Sequence, residues 1–321
     1  ISLAKHLIKI FIGLAILSSG KAFSQITVTI EATGGVTTVC QGTTYVLTVN
    51  ATGGTFNYVN YTWSGDTGPL NIIPPGDVAI FNTNAAPGIY NLSCLVEDDG
   101  TGTGTGNISI TLLPSPIATN TAGGPTTFCQ GGSVVLSANA GAGLTYQWRI
   151  GASDIAGATN STYTATTSGT YRVRVTGSNG CSKLSNAITV TVNSLPAATA
   201  SNDGPVCYNG TINLTSGPNL MVSYNWTSNS STPYTSTDQN PSITGITPSF
   251  SGDYTVKVKD SNGCENTATT TVLVYDDVNG GAIGSDQSIC YNGDPAAFTN
   301  VTSPSGGSPT WTYAWESKVG A

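Results

Sequence analysis

Short runs of alternating apolar and polar residues recur along the whole chain and predict β-strands with one buried face. The clearest runs cover residues 45–49, 134–138, 171–175, 188–192 and 254–258. Clusters of Gly, Asn, Asp and Pro separate the runs at distances typical of hairpins, and no amphipathic helical stretch of any length is found. The pattern predicts an all-β protein.

A larger pattern is superimposed on these strands and is most complete in residues 129–181. It consists of a leading cysteine, a Tyr-x-Trp motif, a Gly-x-Tyr motif and the triplet Asn-Gly-Cys. The leading cysteines lie roughly 80 to 90 residues apart, which fits whole domains in tandem better than short solenoid units. The recurring residues are the leading cysteines Cys40, Cys129, Cys207 and Cys290, the tryptophans Trp63, Trp148, Trp226 and Trp315, and the tyrosines Tyr90, Tyr171 and Tyr254.

Each repeat has room for about seven short strands, which is typical of an Ig-like two-sheet sandwich. In that frame the tryptophan lies on the third strand and fills the core. The tyrosine of Gly-x-Tyr opens the sixth strand, where its hydroxyl can bond back to the backbone as a corner lock. These aromatic residues are therefore expected to be structural.

Prolines and a polar junction mark the domain boundaries, at Pro114, Pro116, Pro196 and residues 275–277. Short linkers containing Pro favour a stiff linear row of domains, whereas Gly/Ser-rich linkers would let them tumble. The predicted organisation is a leader in 1–24, repeat 1 in 25–114, repeat 2 in 115–196, repeat 3 in 197–276 and a truncated repeat 4 in 277–321.

The first 24 residues have the features of a secretory signal peptide. A basic start is followed by the apolar run 10–17, which is too short for a permanent membrane anchor, and Ala22 and Ser24 supply the small residues before a cleavage site. The chain does not begin with Met, and its last repeat stops soon after Tyr-x-Trp, so we expect a piece of a longer secreted or cell-surface protein.

Removal of the leader leaves 7 basic and 17 acidic residues, a net charge of −10, and no histidine. This composition excludes nucleic acid as a partner and removes His-based acid–base catalysis, the common zinc sites and the Ser-His-Asp triad. We expect no catalytic residue, no metal and no cofactor. Calcium at 97–99 or 276–277 is an alternative to solvated turn charge, and the glycines of 100–106 predict a hairpin tip rather than a phosphate cradle.

Basic residues alternate with buried Val on two predicted sixth strands, at Arg172/Arg174 and at Lys257/Lys259. On the outer sheet face these residues favour solubility and protect against association between sheets. The alternative is a stripe that binds an acidic polysaccharide. The tryptophans could likewise form a sugar-stacking platform, although their fixed positions favour the core; Tyr208 and Tyr291 are better candidates for exposed aromatics.

The combined motifs resemble the Ig-like and PKD-like repeats of large surface proteins from Bacteroidetes, including SprB-type gliding adhesin repeats. The segment Gly306-Gly307-Ser308-Pro309-Thr310-Trp311-Thr312-Tyr313-Ala314-Trp315 is especially similar. The resemblance implies a secreted, multidomain surface protein exported by a type IX system. Repeat 1 departs from the pattern, because residues 97–100 and Thr-Gly repeats replace Asn-Gly-Cys.

These observations favour a non-catalytic stalk or adhesin region that holds a binding part away from the cell. The expected partners are a surface polysaccharide or another surface protein, with no membrane span in the mature chain. The alternative function is a set of accessory carbohydrate-binding modules of a secreted polysaccharide-degrading enzyme.

The cysteines allow two pairing schemes. Counting favours pairs within repeats, namely Cys40–Cys94, Cys129–Cys181 and Cys207–Cys264. In an Ig-like sandwich, however, the leading cysteine and that of Asn-Gly-Cys lie at opposite ends, about 20 Å apart, whereas a disulfide needs Cα atoms within about 7 Å. The second scheme is a ladder between successive repeats, Cys40–Cys181 and Cys129–Cys264, with Cys94 buried as a small apolar residue and Cys207 and Cys290 paired beyond the chain.

Overall fold

The computed structural model describes residues 25–284, 287–307, 310 and 312 of the 321-residue chain. The predicted signal peptide and Trp315 lie outside the described residues. The described residues form two compact units. The first contains residues 25–120, 138–161 and 172–186; the second contains residues 121–137, 162–171 and the described residues from 187 onward. Repeat 2 of the sequence contributes segments to both units.

Repeat 1 contains eight strands in two four-stranded sheets. The strands are β1 (Thr27–Ala32), β2 (Thr38–Cys40), β3 (Thr44–Thr52), β4 (Tyr58–Gly65), β5 (Leu70–Ile73), β6 (Val78–Asn82), β7 (Gly88–Asp98) and β8 (Thr103–Leu113), with a short 3-10 helix at Thr33–Gly35. One sheet has the order β1-β3-β6-β5 and the other β2-β8-β7-β4. Neighbouring strands are antiparallel except β2 and β8, which are parallel.

The core of repeat 1 lies between these two sheets because alternate residues of both point inward. In β3, Tyr45, Leu47 and Val49 are buried, and Trp63 and Leu92 of the other sheet belong to the same cluster. Complete burial of an aliphatic or aromatic side chain contributes about 1.5–3 kcal/mol. The alternation in the sequence therefore directly produces the stabilising core of this sandwich.

Repeat 2 contains nine strands: β9 (Asn120–Ala122), β10 (Thr127–Cys129), β11 (Val134–Ala138), β12 (Thr145–Ile150), β13 (Ser153–Asp154), β14 (Thr162–Ala165), β15 (Gly169–Thr176), β16 (Ser182–Leu184) and β17 (Ile188–Asn193). Strand β11 pairs with β14, β12 with β13, and β15 with both β16 and β17, all antiparallel. Strand β10 pairs with β17 in parallel, as β2 does with β8.

Repeat 3 contains seven strands in two sheets of the second unit. They are β18 (Thr199–Asn202), β19 (Thr211–Gly217), β20 (Ser223–Ser228), β21 (Thr235–Ser236), β22 (Ser242–Thr244), β23 (Gly252–Lys259) and β24 (Glu265–Val272), with a 3-10 helix at Pro248–Phe250. The sheets have the orders β18-β19-β22 and β21-β20-β23-β24. Their shared core includes Leu214, Trp226, Tyr254 and Val256.

After repeat 3, the described residues contain one further strand pair, β25 (Ala282–Gly284) and β26 (Thr299–Thr302). The predicted all-β fold is confirmed, and each of the five alternating runs lies within one strand. Tyr-x-Trp lies on β4, β12 and β20, and the glycine of Gly-x-Tyr is the first residue of β7, β15 and β23.

Candidate functional site: the disulfide-linked junctions

Each leading cysteine lies beside the last strand of its own repeat. Cys40 pairs with Leu113 at the end of the β2–β8 ladder, and Cys129 pairs with Asn193 at the end of the β10–β17 ladder. In repeat 3, Val206 makes the corresponding parallel bridge to Val274. The parallel pairing thus brings each leading cysteine to the point where the chain leaves its repeat.

Two disulfides connect successive repeats. Cys40 of repeat 1 is bonded to Cys181 of repeat 2, and Cys129 of repeat 2 is bonded to Cys264 of repeat 3; the Cα atoms of each pair are 5.5 Å apart. Each bond lies within one of the two compact units. Of the two pairing schemes that the sequence left open, the structure contains the ladder between repeats. The within-repeat scheme would pair Cys94 with Cys40 and Cys207 with Cys264, whereas both Cys94 and Cys207 are free thiols.

The turn that ends in Cys181 is closed by local hydrogen bonds. The Gly177 N–H donates to the Cys181 carbonyl, and Asn179 Oδ1 accepts the Cys181 N–H at 3.1 Å. Gly180 has φ +82°, a left-handed conformation in which a side chain would be strained. The Asn-Gly-Cys triplet therefore encodes a tight turn that presents the second cysteine of the bond.

The equivalent turn in repeat 3 uses a different side chain for the same purpose. Asp260 Oδ1 accepts the Cys264 N–H at 2.8 Å, and the Asp260 N–H donates to the Cys264 carbonyl. Gly263 has φ +81°, close to the +82° of Gly180. The two turns share the residues Ser-Asn-Gly-Cys and differ in the side chain that accepts the cysteine N–H.

An asparagine of the following repeat also holds each linker. Asn179 Nδ2 donates to the Pro114 carbonyl at 2.8 Å, and Asn266 Nδ2 donates to the Pro196 carbonyl at 2.9 Å. Neither contact was predicted from the sequence, because Asn179 was interpreted only as part of the Asn-Gly-Cys turn and Asn266 lies two residues beyond Cys264. Both linker prolines are therefore attached to the repeat that follows them.

Gln41 adds further bonds at the first junction. Its main-chain N–H donates to the Leu113 carbonyl, and its own carbonyl accepts the Ser115 hydroxyl at 2.7 Å. Its side-chain amide accepts the Ser115 N–H and donates to the Ala85 carbonyl at 2.8 Å. The residue next to Cys40 thus binds the linker from both its main chain and its side chain.

Repeat 1 closes its own β7–β8 turn with a carboxylate instead of a cysteine. Asp98 is 7% exposed and accepts N–H groups from Thr55, Gly100 and Gly102 at 2.8–3.0 Å. The Thr55 N–H contributes most to lowering the pKa of this carboxyl below its ordinary value, and burial partly opposes it. Its oxygens are directed at N–H donors, so this acidic group serves the turn; among the described residues, no group of three His, Cys, Asp or Glu side chains could hold a metal ion.

The glycines that follow this turn have a packing role that sequence reasoning missed. A Cβ atom on Gly104 would overlap the carbonyl of Ile26, and one on Gly106 would lie 2.8 Å from Val28 Cγ1. The sequence predicted only a hairpin tip for residues 100–106. The Thr-Gly repeats also form the start of β8 and allow β1 to approach β8 closely.

The recurring tryptophans are buried, with their indole N–H groups bonded to backbone carbonyls. Trp148 and Trp226 are 0% exposed and Trp63 is 8% exposed. Their Nε1 atoms donate to the carbonyls of Asn160, Gln239 and Gly76, 12 or 13 residues further along the chain. These three rings are consequently unavailable as a sugar-stacking platform.

The corner tyrosines each donate to the carbonyl four residues earlier. The bonds join Tyr90 to Ala86, Tyr171 to Thr167 and Tyr254 to Phe250. A second tyrosine, near the start of the strand that carries the tryptophan, donates to the preceding loop: Tyr58 to Gly53, Tyr146 to Asn139 and Tyr224 to Pro218. Tyr146 and Tyr224 belong to Tyr-x-Trp motifs, whereas Tyr58 lies five residues before Trp63, because β4 is longer than β12 and β20.

The three free cysteines fall into two classes. Cys94 is buried, and burial raises the pKa of its thiol to about 11. Cys207 and Cys290 are exposed, each followed by an exposed tyrosine, Tyr208 or Tyr291. Cys207 and Cys290 each accept, through their carbonyls, the N–H of the glycine three residues later, as Cys129 does.

No helix in the described part of the chain is long and apolar enough to cross a membrane.

Residues 118–192, which lie in repeat 2, match the family model of the PKD domain. No curated protein matches the chain. Three N-terminal domains of the bacteriophage RB49 highly immunogenic outer capsid protein are similar at 18% identity and a TM-score of 0.31, covering 78% of this chain and 98% of that one.

Two further solved structures are similar. A structure of a 1.5-MDa bacterial ice-binding adhesin has 16% identity, a TM-score of 0.30 and coverage of 79% of this chain and 99% of that one. Extracellular domains 3–5 of Drosophila OTK have 14% identity, a TM-score of 0.29 and coverage of 74% and 93%. The family match thus covers repeat 2, and the sheets described above make the described part of the chain all-β.

Proposed function

We propose that this chain is a non-catalytic extracellular stalk or adhesin region whose Ig-like repeats space or present a binding part at the cell surface. The observation that supports it best is the pair of disulfides, Cys40–Cys181 and Cys129–Cys264, that join each repeat to the next. A covalent bond beside each linker limits separation of the domains under load. A spacer that transmits force needs this property, whereas independent enzyme domains do not.

The chemistry of the chain supports the same proposal. Disulfides persist in oxidising compartments outside the cell, and the sequence predicts a leader cleaved near Ser24. The mature chain contains no histidine. In its repeats, tyrosine hydroxyl and tryptophan indole groups donate hydrogen bonds to backbone carbonyls. The surface polysaccharide and surface protein partners remain part of this proposal.

Single-molecule extension of the mature chain, held at its two ends, tests the load-bearing role. With both bonds formed, the shortest covalent path from Cys40 to Cys264 crosses to Cys181, runs back along the chain to Cys129 and crosses to Cys264, so it contains about 52 residues instead of the 224 of the reduced chain. We expect the full extension of the oxidised chain to be shorter than that of the reduced chain by about 580 Å, at about 3.4 Å per residue.

The double variant Cys181→Ser/Cys264→Ser is the matched control and should extend like the reduced protein under oxidising conditions. Equal extension of the oxidised and reduced parent chains would contradict the proposed load path. Hydrolysis of any polysaccharide by the purified mature chain would contradict the proposal that this region is non-catalytic.

A further inference from the structure

Charge is distributed very unevenly among the repeats. Repeat 1 has six acidic residues and no basic one, and repeat 3 has six acidic and two basic residues. Repeat 2 has four basic residues and one acidic residue, although the mature chain as a whole has a net charge of −10. Repeat 2 is therefore a basic segment in an acidic protein, and its field attracts anions that the neighbouring repeats repel.

Three of the four basic side chains form one surface, which we call the arginine face: Arg149, Arg172 and Arg174. Arg172 and Arg174 alternate along β15 with the buried Val173 and Val175, so they point away from the core. They are two residues apart on a strand, a spacing of about 6.6–7 Å.

Asp154 connects Arg149 with this row. Arg149 Nε lies 2.6 Å from Asp154 Oδ1, and Arg174 Nη1 lies 3.3 Å from Asp154 Oδ2. Arg149 also donates to the Ala152 carbonyl, which fixes its position on the β12–β13 hairpin. Arg172 has no acidic partner among the described residues, so the three guanidinium groups of this surface are accompanied by one carboxylate, which contacts two of them.

The equivalent surface of repeat 3 is largely neutralised. Lys257 Nζ lies 3.0 Å and Lys259 Nζ 3.4 Å from the two carboxylate oxygens of Glu265. Guanidinium groups also bind carboxylates and sulfates through two parallel hydrogen bonds, which an ammonium group cannot do. The two repeats therefore differ in both excess charge and binding geometry.

We propose that the arginine face binds an acidic polysaccharide, through carboxylate or sulfate groups spaced along the polymer. A row of cations on the outer face of a sheet suits an extended polyanion, because each charge can bind a successive acidic group. A second copy of this chain fits less well: in repeat 1 Asp98 is buried within its own turn, and Asp99 and Glu97 accept bonds from Asn57 and Asn60. This inference adds a ligand to the proposed stalk and does not depend on its load-bearing role.

Calorimetric titration of the mature chain at low salt, with polygalacturonate, dextran sulfate and uncharged dextran as probes, tests the proposal. We expect a salt-sensitive complex with one or both acidic polymers and none with dextran. The two acidic probes distinguish carboxylate from sulfate recognition. Arg172→Gln/Arg174→Gln should weaken binding about tenfold.

Lys257→Gln/Lys259→Gln removes the same charge from repeat 3 and should leave the affinity within about twofold of the parent value. Equal weakening by both double variants, equal binding of dextran, or no binding to either acidic polymer would overturn the proposal. A salt-dependent dimer in sedimentation velocity that Arg172→Gln/Arg174→Gln abolishes would overturn it in favour of self-association. Unchanged melting temperatures of both variants would show that each remains folded.

Discussion

Cys94 stands directly opposite Trp63 in the β4–β7 pairing, whereas the residue opposite Trp226 in the equivalent β20–β23 pairing is Val256. Counted from the corner tyrosine, Cys94 corresponds instead to Val258, because each lies four residues later. The tryptophan of repeat 1 is therefore offset by two residues along its neighbouring strand. Cys94 fills a fully buried place in that core.

Replacement of this thiol should change how repeat 1 responds to alkali. Because burial raises the Cys94 pKa from 9.0 to about 11, the neutral thiol stabilises the fold below pH 9, and this contribution is lost as the pH rises toward 11. Two pKa units correspond to at most roughly 3 kcal/mol. We expect Cys94→Val to lose less of its melting temperature between pH 8 and pH 10.5 than the parent protein.

The buried Tyr45 also has a pKa raised by burial and titrates in both proteins, so its contribution cancels in the comparison. Thiol labelling provides a second measurement. Under native conditions Cys207 and Cys290 should react with iodoacetamide, and Cys94 should react only after unfolding. Native labelling of Cys94 would contradict its assigned burial.

Trp148→Ala should destabilise repeat 2 by about 3–5 kcal/mol, the usual loss for a deleted buried aromatic side chain. The indole is 0% exposed, and its N–H donates to the Asn160 carbonyl at 2.9 Å, so the variant also leaves that carbonyl unpaired. Denaturant unfolding measures the change. Tyr208→Ala removes an exposed aromatic and should stay within about 0.5 kcal/mol of the parent; a similar loss for both variants would argue that Trp148 is not a core residue.

Asp98→Asn should destabilise repeat 1 and change its response to acid. The lowered pKa of this carboxyl means that its stabilising effect is present above the unfolded value of about 3.8 and is lost as the pH falls through the lower folded value. The amide cannot accept all the N–H groups that the carboxylate does. We expect a lower melting temperature at pH 7 and a smaller difference between pH 7 and pH 3.

Glu31→Gln is the matched control for that measurement, because Glu31 is exposed on β1 of the same repeat. Its melting temperature should follow that of the parent at both pH values. If Asp98→Asn also followed the parent, the carboxylate would not be closing the β7–β8 turn.

Non-reducing peptide mapping of the oxidised protein should recover Cys40 linked to Cys181 and Cys129 linked to Cys264. Reduction should lower the melting temperature, because each bond closes a loop of more than 130 residues and loops of that size contribute about 4–5 kcal/mol in the chain-entropy description. A peptide that links Cys129 to Cys181 would contradict the arrangement.

The strands could be predicted from sequence because burial alternates with a period of two, so the side chains themselves report which face is inward. The ladder could be argued because domain ends and strand lengths restrict which cysteines can meet. The bonds of Gln41, Asn179 and Asn266 to the linkers could not be predicted, because they join positions up to 74 residues apart and no sequence pattern relates the two ends of each contact. The role of Asp98 in closing the β7–β8 turn could not be predicted for a similar reason, because Thr55, whose N–H it accepts, lies on a loop 43 residues earlier.

The two disulfides also interleave along the sequence, since Cys129 lies between Cys40 and Cys181, and Cys181 lies between Cys129 and Cys264. A protease that cuts the backbone once between Cys40 and Cys264 cannot release either end, because the pieces remain bonded through sulfur. Two cuts, wherever they fall in that interval, still leave the two ends connected. Severing them requires three cuts, one between each successive pair of these four cysteines, so the bonding order makes the region tolerant of proteolytic damage.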